Sequence, residues 1–113
     1  MRLVNIHIFQ IDPRKDAHNV RFMCTSSMKH ITGSEEVDWS IYDLTWQGEV
    51  DCKDLDEVYM KFNVKRPADF QGHSLSVSDV IEVVAPDKSS SRFWFVDQFG
   101  FREIWPLGGQ HHE

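Results

Sequence analysis

The sequence predicts an α+β domain: a mainly antiparallel sheet, which could close barrel-like, carrying one or two short helices. Three observations predict it. Apolar residues alternate with a period of two over 3–11 and 39–46, only 55–62 carries a clear helical repeat, and clusters of Pro, Gly, Asp and Ser separate the apolar runs. The 113 residues fit a single domain, 1–113. A chain of this size buries about two-thirds of its unfolded surface, enough for a core without disulfide staples. At 41% hydrophobic and 27% charged residues, the composition is that of a globular protein rather than a disordered one.

The first strand is 3–11, with Val4, Ile6 and Ile8 on one face and Leu3, Asn5, His7, Phe9 and Ile11 on the other. Asp12-Pro13-Arg14-Lys15-Asp16 ends it, because Pro fixes φ and Asp favours turns. Val20 to Met23 is a short apolar piece that suits a strand or a helical turn, and the polar Thr25-Ser26-Ser27 follows. A second strand is expected over Trp39 to Trp46, stopping at Gln47-Gly48. The clearest helix begins at Asp54. Its carboxylate can N-cap, Glu57 completes a capping box, and Leu55, Val58, Tyr59 and Phe62 recur at i, i+3, i+4 and i+7. It should stop near Asn63, since Pro67 forces Arg66 out of the helical region.

Pro67 to Gly72 reads as a single turn. Asp79 to Val84 is apolar on both faces, as an interior strand is. Arg92 to Val96 should pair with it antiparallel across the polar loop 86–91. Asp97-Gln98-Phe99-Gly100 then suits a turn, and Phe101 to Trp105 a closing strand.

The charge is uneven. The net charge is −6, yet the segment from Glu35 to Glu57 holds nine acids against Lys53 alone, a net of −8, and the rest of the chain carries +2. This balance disfavours a protein that works by neutralising nucleic-acid phosphates. The acidic run reads either as a solvated face or as a surface that steers a basic partner protein onto Glu49, Asp51, Asp54, Asp56 and Glu57. No stretch is long and apolar enough to span a membrane and no signal-peptide pattern opens the chain, so the expected location is the cytoplasm and no membrane partner is expected. Cys24 and Cys52 are expected to be free thiols.

Two segments carry a family resemblance. Phe62-Asn63-Val64-Lys65-Arg66-Pro67-Ala68-Asp69-Phe70-Gln71-Gly72-His73-Ser74-Leu75-Ser76-Val77-Ser78-Asp79-Val80, followed by Phe95-Val96-Asp97-Gln98-Phe99-Gly100-Phe101-Arg102-Glu103-Ile104, resembles the YodL-like domain. The resemblance is close over about 55–105. The first half matches in outline, through its opening strand, the Arg21-Phe22 pair and a strand bearing Tyr42-x-Leu44. It implies a bacterial mobile-element setting, including large polyvalent proteins of phages and plasmids, and no established enzymatic activity.

Catalytic candidates cluster at His73, Ser74, Ser76 and Asp79, with Asp97 nearby in sequence. Gly72-His73-Ser74-Leu75-Ser76 lacks the G-x-S-x-G spacing of a nucleophile elbow, and turn chemistry accounts for these residues: His and Ser can bond their own backbone, and Asp79 can open a strand after a tight turn. No metal and no cofactor is expected. Cys24, His30 and Cys52 lack ligand spacing, His111-His112 lies at the chain end, and no glycine pattern fits a phosphate loop.

Aromatic residues crowd the C-terminal strands, where Phe93 and Phe95 should face opposite Trp94 and Val96. Such strands can stack bases, but only Lys88, Arg92 and Arg102 accompany them, so no direct nucleic-acid binding is expected. They can instead be covered by a helix on one side and a partner on the other, with Trp94, Phe99 and Trp105 as the binding residues. Three functions follow. The leading expectation is a non-catalytic module that docks on a basic host or element-encoded protein, as a counter-defence inhibitor of antirestriction or anti-CRISPR type. The alternatives are an adaptor binding through the aromatic hairpin and a small hydrolase using His73. Oligomeric state has no signature in the sequence.

Overall fold

The computed structural model describes residues 3–87 and 89–106. β1 (Leu3–Ile11) is the strand its alternation predicts: on the series Val4, Ile6, Ile8, Gln10, Val4 is half-buried and the other three are buried. At 20–23 the chain makes a turn rather than a strand, with Met23 N donating to Val20 O and the amides of Val20 and Arg21 held by the Asp16 carboxylate. α1 (Thr25–Thr32) then forms where the sequence showed only a polar run. Its N-terminal amide, Thr25 N, donates to Asp97 Oδ1 at 2.8 Å, and Gly33 at φ 79° closes its other end. The helix is therefore capped from a residue far along the chain.

The expected strand at Trp39 begins later. Asp38 accepts bonds from Ser40 N and Ser40 Oγ and draws Trp39–Ile41 into a short 3-10 turn. β2 (Tyr42–Asp51) runs on past Gln47-Gly48, where a stop was expected. Pairing with β1 continues from Tyr42 to Asp51, and Gly48 serves the strand as room for the Trp46 ring, since a Cβ there would lie 2.7 Å from it.

α2 (Leu55–Val64) follows its capping signature with one change. Asp54 Oδ1 accepts from Glu57 N, while the Glu57 carboxylate accepts from Lys53 N, one residue before the position a capping box uses. Val58 and Phe62 are its buried residues. The connection onward makes the expected turn, Phe70 N donating to Pro67 O, and leads to β3 (Val80–Val84), β4 (Ser91–Val96) and β5 (Phe101–Ile104). Asp97 N donates to Gly100 O across the last turn, with Gly100 at φ 89°.

All pairings are antiparallel, in the order β2-β1-β3-β4-β5, so the sheet is open with β2 and β5 at its edges. One face packs against α2 and the 65–79 connection: Ile6, Ile8, Trp46, Ile81 and Val96 meet Val58, Phe62, Phe70 and Leu75. Phe62 is fully buried with its ring edge-on to Trp46 and Phe70, at 5.0 and 5.2 Å between centroids. On the other face Val80, Phe93, Phe95 and Ile104 are covered by Phe9, Val37, Trp39 and Tyr42, beside a cluster of Ile11, Val20, Met28 and Ile41. Cys24 and Cys52 are free thiols.

Asp54→Ala should lower stability by about 1 kcal/mol through loss of the cap, and Asp54→Asn by far less. Urea denaturation of the two variants checks this.

Candidate functional site

The α2 face of the sheet has two ends of different chemistry. At the N-terminal end of α2 lies a groove of about 850 Å³ between that helix, the start of β1 and the β3–β4–β5 strands. Its apolar lining includes Leu3, Leu55, Val83, Trp94 and Phe101, and its acidic lining is Glu49, Asp54 and Asp56. Folding places the groove here because β2 ends and α2 begins on one side of it while β4 and β5 form the other. The cations Arg92 and Lys53 also line it: Arg92 is held bidentate by Glu103 at 2.7 and 2.8 Å and stacked over Trp94 at 4.9 Å, and Lys53 lies 3.9 Å from the Glu57 carboxylate.

Of the residues the sequence singled out for binding, Glu49, Asp54, Asp56 and Trp94 thus meet in one groove. Asp51 and Glu57 are exposed beside it, with Glu57 engaged at the start of α2. Phe99 and Trp105 are not part of it: Phe99 is 90% exposed at the β4–β5 turn, and Trp105 is 41% exposed just past β5. The remaining acids of the run include Glu35 and Asp43, which meet Lys29 and Lys15.

The aromatic hairpin differs from expectation on its second side. Phe93 and Phe95 do face away from Trp94 and Val96, but the chain itself covers them. Trp39 lies 4.6 Å from Phe9 and 5.7 Å from Phe93 between ring centroids, so no partner is needed there. Arg102 is half-buried and engaged within the chain, bonded to Thr25 Oγ1 and Glu35 O. Lys88, His111 and His112 lie outside the described residues.

At the other end of the same face is a buried polar centre. Asp79 is fully buried, and its Oδ2 accepts from Ser76 N at 2.8 Å and from Gln10 Nε2 at 3.0 Å. Gln10 Nε2 also donates to His73 O at 2.9 Å. His73 Nδ1 donates to Ser74 O at 2.7 Å, and Ser76 Oγ to the same carbonyl at 2.8 Å. Burial pushes the Asp79 carboxyl up to about 8, against the bonds from Gln10 and Ser76 and the field of Arg21, which lower it. Asp97 stands apart from this group. Burial raises its carboxyl, but the bonds from Thr25 and Gln98 and the field of Arg102 outweigh it and hold Asp97 below the usual range.

Ser78 joins the centre to three other elements. Its amide donates to Val96 O, its carbonyl accepts from Tyr42 OH at 2.6 Å, and its hydroxyl accepts from Phe22 N at 2.9 Å. Both Ser78 and Phe22 have positive φ, 82° and 71°, a strained conformation for residues with a Cβ. Phe22 is 49% exposed, its ring edge-on to His73 at 5.1 Å with Arg21 above it at 4.7 Å. Sequence reasoning named His73, Ser74, Ser76 and Asp79 but missed Gln10, Tyr42 and Ser78. Gln10 did leave a signal, as the polar continuation of the inward series Val4, Ile6, Ile8.

Among the described residues, no three His, Cys, Asp or Glu side chains form a group that could hold a metal ion, and no helix is long and apolar enough to cross a membrane. Fold and site together define a small α+β domain of open antiparallel sheet, with an acid-rimmed groove at one end of α2 and a closed polar joint at the other. The model of the YodL-like domain family matches residues 5–106, and the chain belongs to that family. The match takes in β1 and the α1 segment as well as the closely similar C-terminal half. No curated protein and no solved structure matches the chain.

Gly72 tests the polar joint. A Cβ at this position would overlap Gln10 Oε1 and press on the Phe70 ring at 3.0 Å. Gln10 is held by its own bonds, so Gly72→Ala should destabilise the domain by about 2 kcal/mol, as overpacking does. Thermal or urea unfolding measures it.

Proposed function

We propose that this domain is a non-catalytic protein-binding module whose groove receives a basic, partly apolar segment of a partner protein. The observation that carries the reading is the convergence of Glu49, Asp54 and Asp56 with Leu55, Trp94 and Phe101 around one groove. Apolar lining supplies affinity, and the acidic rim selects charge and speeds encounter. In the mobile-element setting that the family resemblance implies, the partner is a basic nucleic-acid-handling protein of host or element, and the domain acts as a counter-defence inhibitor. Engagement of Arg92 by Glu103 and of Arg102 by Thr25 and Glu35 supports binding to a protein rather than to phosphates. A hydrolytic role for His73 draws no support from a ring whose Nδ1 is bonded to Ser74 O and which does not line the groove.

The 90% exposure of Phe99 favours a second reading, an adaptor that binds through the aromatic β4–β5 hairpin, with Phe99 at its tip and Trp105 past the far end of β5. Salt separates the two, since groove binding weakens with ionic strength and hairpin binding does not.

The test is an NMR titration with a Lys/Arg-rich peptide carrying Leu and Phe. Shifts are expected at Leu55, Val83 and Trp94. The combined variant Glu49→Gln, Asp51→Asn, Asp54→Asn, Asp56→Asn, Glu57→Gln keeps side chains able to accept the capping bonds and should bind at least about tenfold more weakly with the fold intact. Equal affinity in the variant, or shifts confined to Phe99 and Trp105, would exclude the groove.

A further inference from the structure

Among the described residues, three buried side-chain atoms have no hydrogen-bond partner: Gln10 Oε1, His73 Nε2 and Asp79 Oδ1. Two of them face each other, His73 Nε2 and Asp79 Oδ1, 3.8 Å apart. The chemistry of this pair is constrained by its other bonds. Ser74 O, 2.7 Å from His73 Nδ1, can only accept, and the two hydrogens of Gln10 Nε2, 3.3 Å from the same nitrogen, go to His73 O and Asp79 Oδ2; this assigns the ring proton to Nδ1, and in the neutral ring Nε2 is a bare acceptor. Asp79 Oδ2 already accepts two donors, which leaves Oδ1 as the atom that can carry a proton toward the imidazole. A single proton between the two makes the pair neutral and gives each orphan atom a partner once the side chains close by about 1 Å.

We propose that His73 and Asp79 share one proton and that this proton latches the 72–78 connection, and Phe22 with it, against β1 and β4. Loss of the proton leaves a carboxylate buried at 0% exposure in contact with the uncharged Gln10 from β1 and next to Val96 of β4. The titratable and charged groups facing it are His73 from its own connection, Arg21 from the 12–24 segment and Tyr42 from β2. Arg21 stands over the Phe22 ring and lowers the carboxyl only in part. An unbalanced buried charge opens the structure toward water. The segment that would open is the one that holds strain, because Phe22 keeps its positive φ through its bond to Ser78 Oγ.

The sign follows from the position of the carboxyl, ordinary in the unfolded chain and raised to about 8 in the fold. The folded pair keeps its one proton up to about 8, whereas in the unfolded chain a free imidazole holds a proton only below about 6.5, so stability falls as pH rises from about 6.5 to about 8 and levels off above. The first experiment is a carbon-13 NMR titration of the Asp79 carboxyl in the wild-type protein, with amide exchange of residues 72–78 followed from pH 6 to 9. The expected result is a carboxyl titration near 8, with exchange at 72–78 speeding up by up to about tenfold per pH unit as pH approaches it, beyond the intrinsic base catalysis, and by no more than that catalysis above it. Asp79→Asn supplies a permanent donor to His73 Nε2 and an acceptor for Ser76 N, so its stability should lack the wild-type decline between about pH 6.5 and 8. A carboxyl that titrates below 5, or an Asn variant with the wild-type decline, overturns the proposal. If the variant does not fold, the wild-type carbon titration decides alone.

Discussion

The step from Ser78 to Asp79 is the constraint on which the rest of the structure depends. At these two residues the 65–79 connection becomes β3. Ser78 N and Asp79 O form a reciprocal pair with Val96 and so set the register of β3 against β4. Tyr42 from β2, Phe22 from the 12–24 segment and Gln10 from β1 all end on the same two residues. A left-handed serine costs about 1–3 kcal/mol of backbone strain. Three hydrogen bonds through its amide, carbonyl and hydroxyl, each contributing about 1 kcal/mol, offset that cost. Glycine would relieve the strain and lose the hydroxyl that holds Phe22.

α2 separates this joint from the groove. At the helix's far end Asn63 Nδ2 donates to Leu75 O and ties the connection down. At its near end the acidic residues do two jobs. Asp54 satisfies Glu57 N, an amide that the first turn of a helix leaves without an intrahelical partner, Glu57 accepts from Lys53 N just ahead of the cap, and their negative charge is favourable there. With Glu49 and Asp56 they also give the groove side its charge. Elsewhere the acids of the run are partly balanced, Asp43 by Lys15 and Glu35 by Lys29. The acidic charge that lines the groove is therefore concentrated at one end of α2 rather than spread along the 35–57 stretch.

The same division explains the aromatic residues. Phe62, Phe93 and Phe95 are core, packed on opposite faces of one sheet, and the pairing of the strands settles which ring goes to which side. Trp94 stays half-buried because Arg92 and Glu103 lie beside it and the groove opens over it. Phe99 is exposed because a four-residue turn closed by Asp97 and Gly100 leaves its tip beyond the sheet.

By itself the sequence determined the elements whose causes lie within about ten residues. β1 follows from alternation over nine positions, α2 from a cap and a repeat inside one stretch, and the β3–β4–β5 meander from apolar strands separated by a polar loop and an Asp-to-Gly turn. The four acids and aromatics of the groove were individually legible, as Glu49, Asp54, Asp56 and Trp94. Their meeting was not, because it requires β1 to insert between β2 and β3 and so order the sheet. α1, the 3-10 turn at Trp39–Ile41, the full length of β2 and the role of Gln10 were likewise left to tertiary structure. A helix capped by Asp97, a strand prolonged by its neighbour, and a glutamine bonded to a residue 69 positions away depend on partners that no local window contains. Such contacts exist only once the chain has closed on itself, since burial is what makes an amide or a carboxylate require that particular partner.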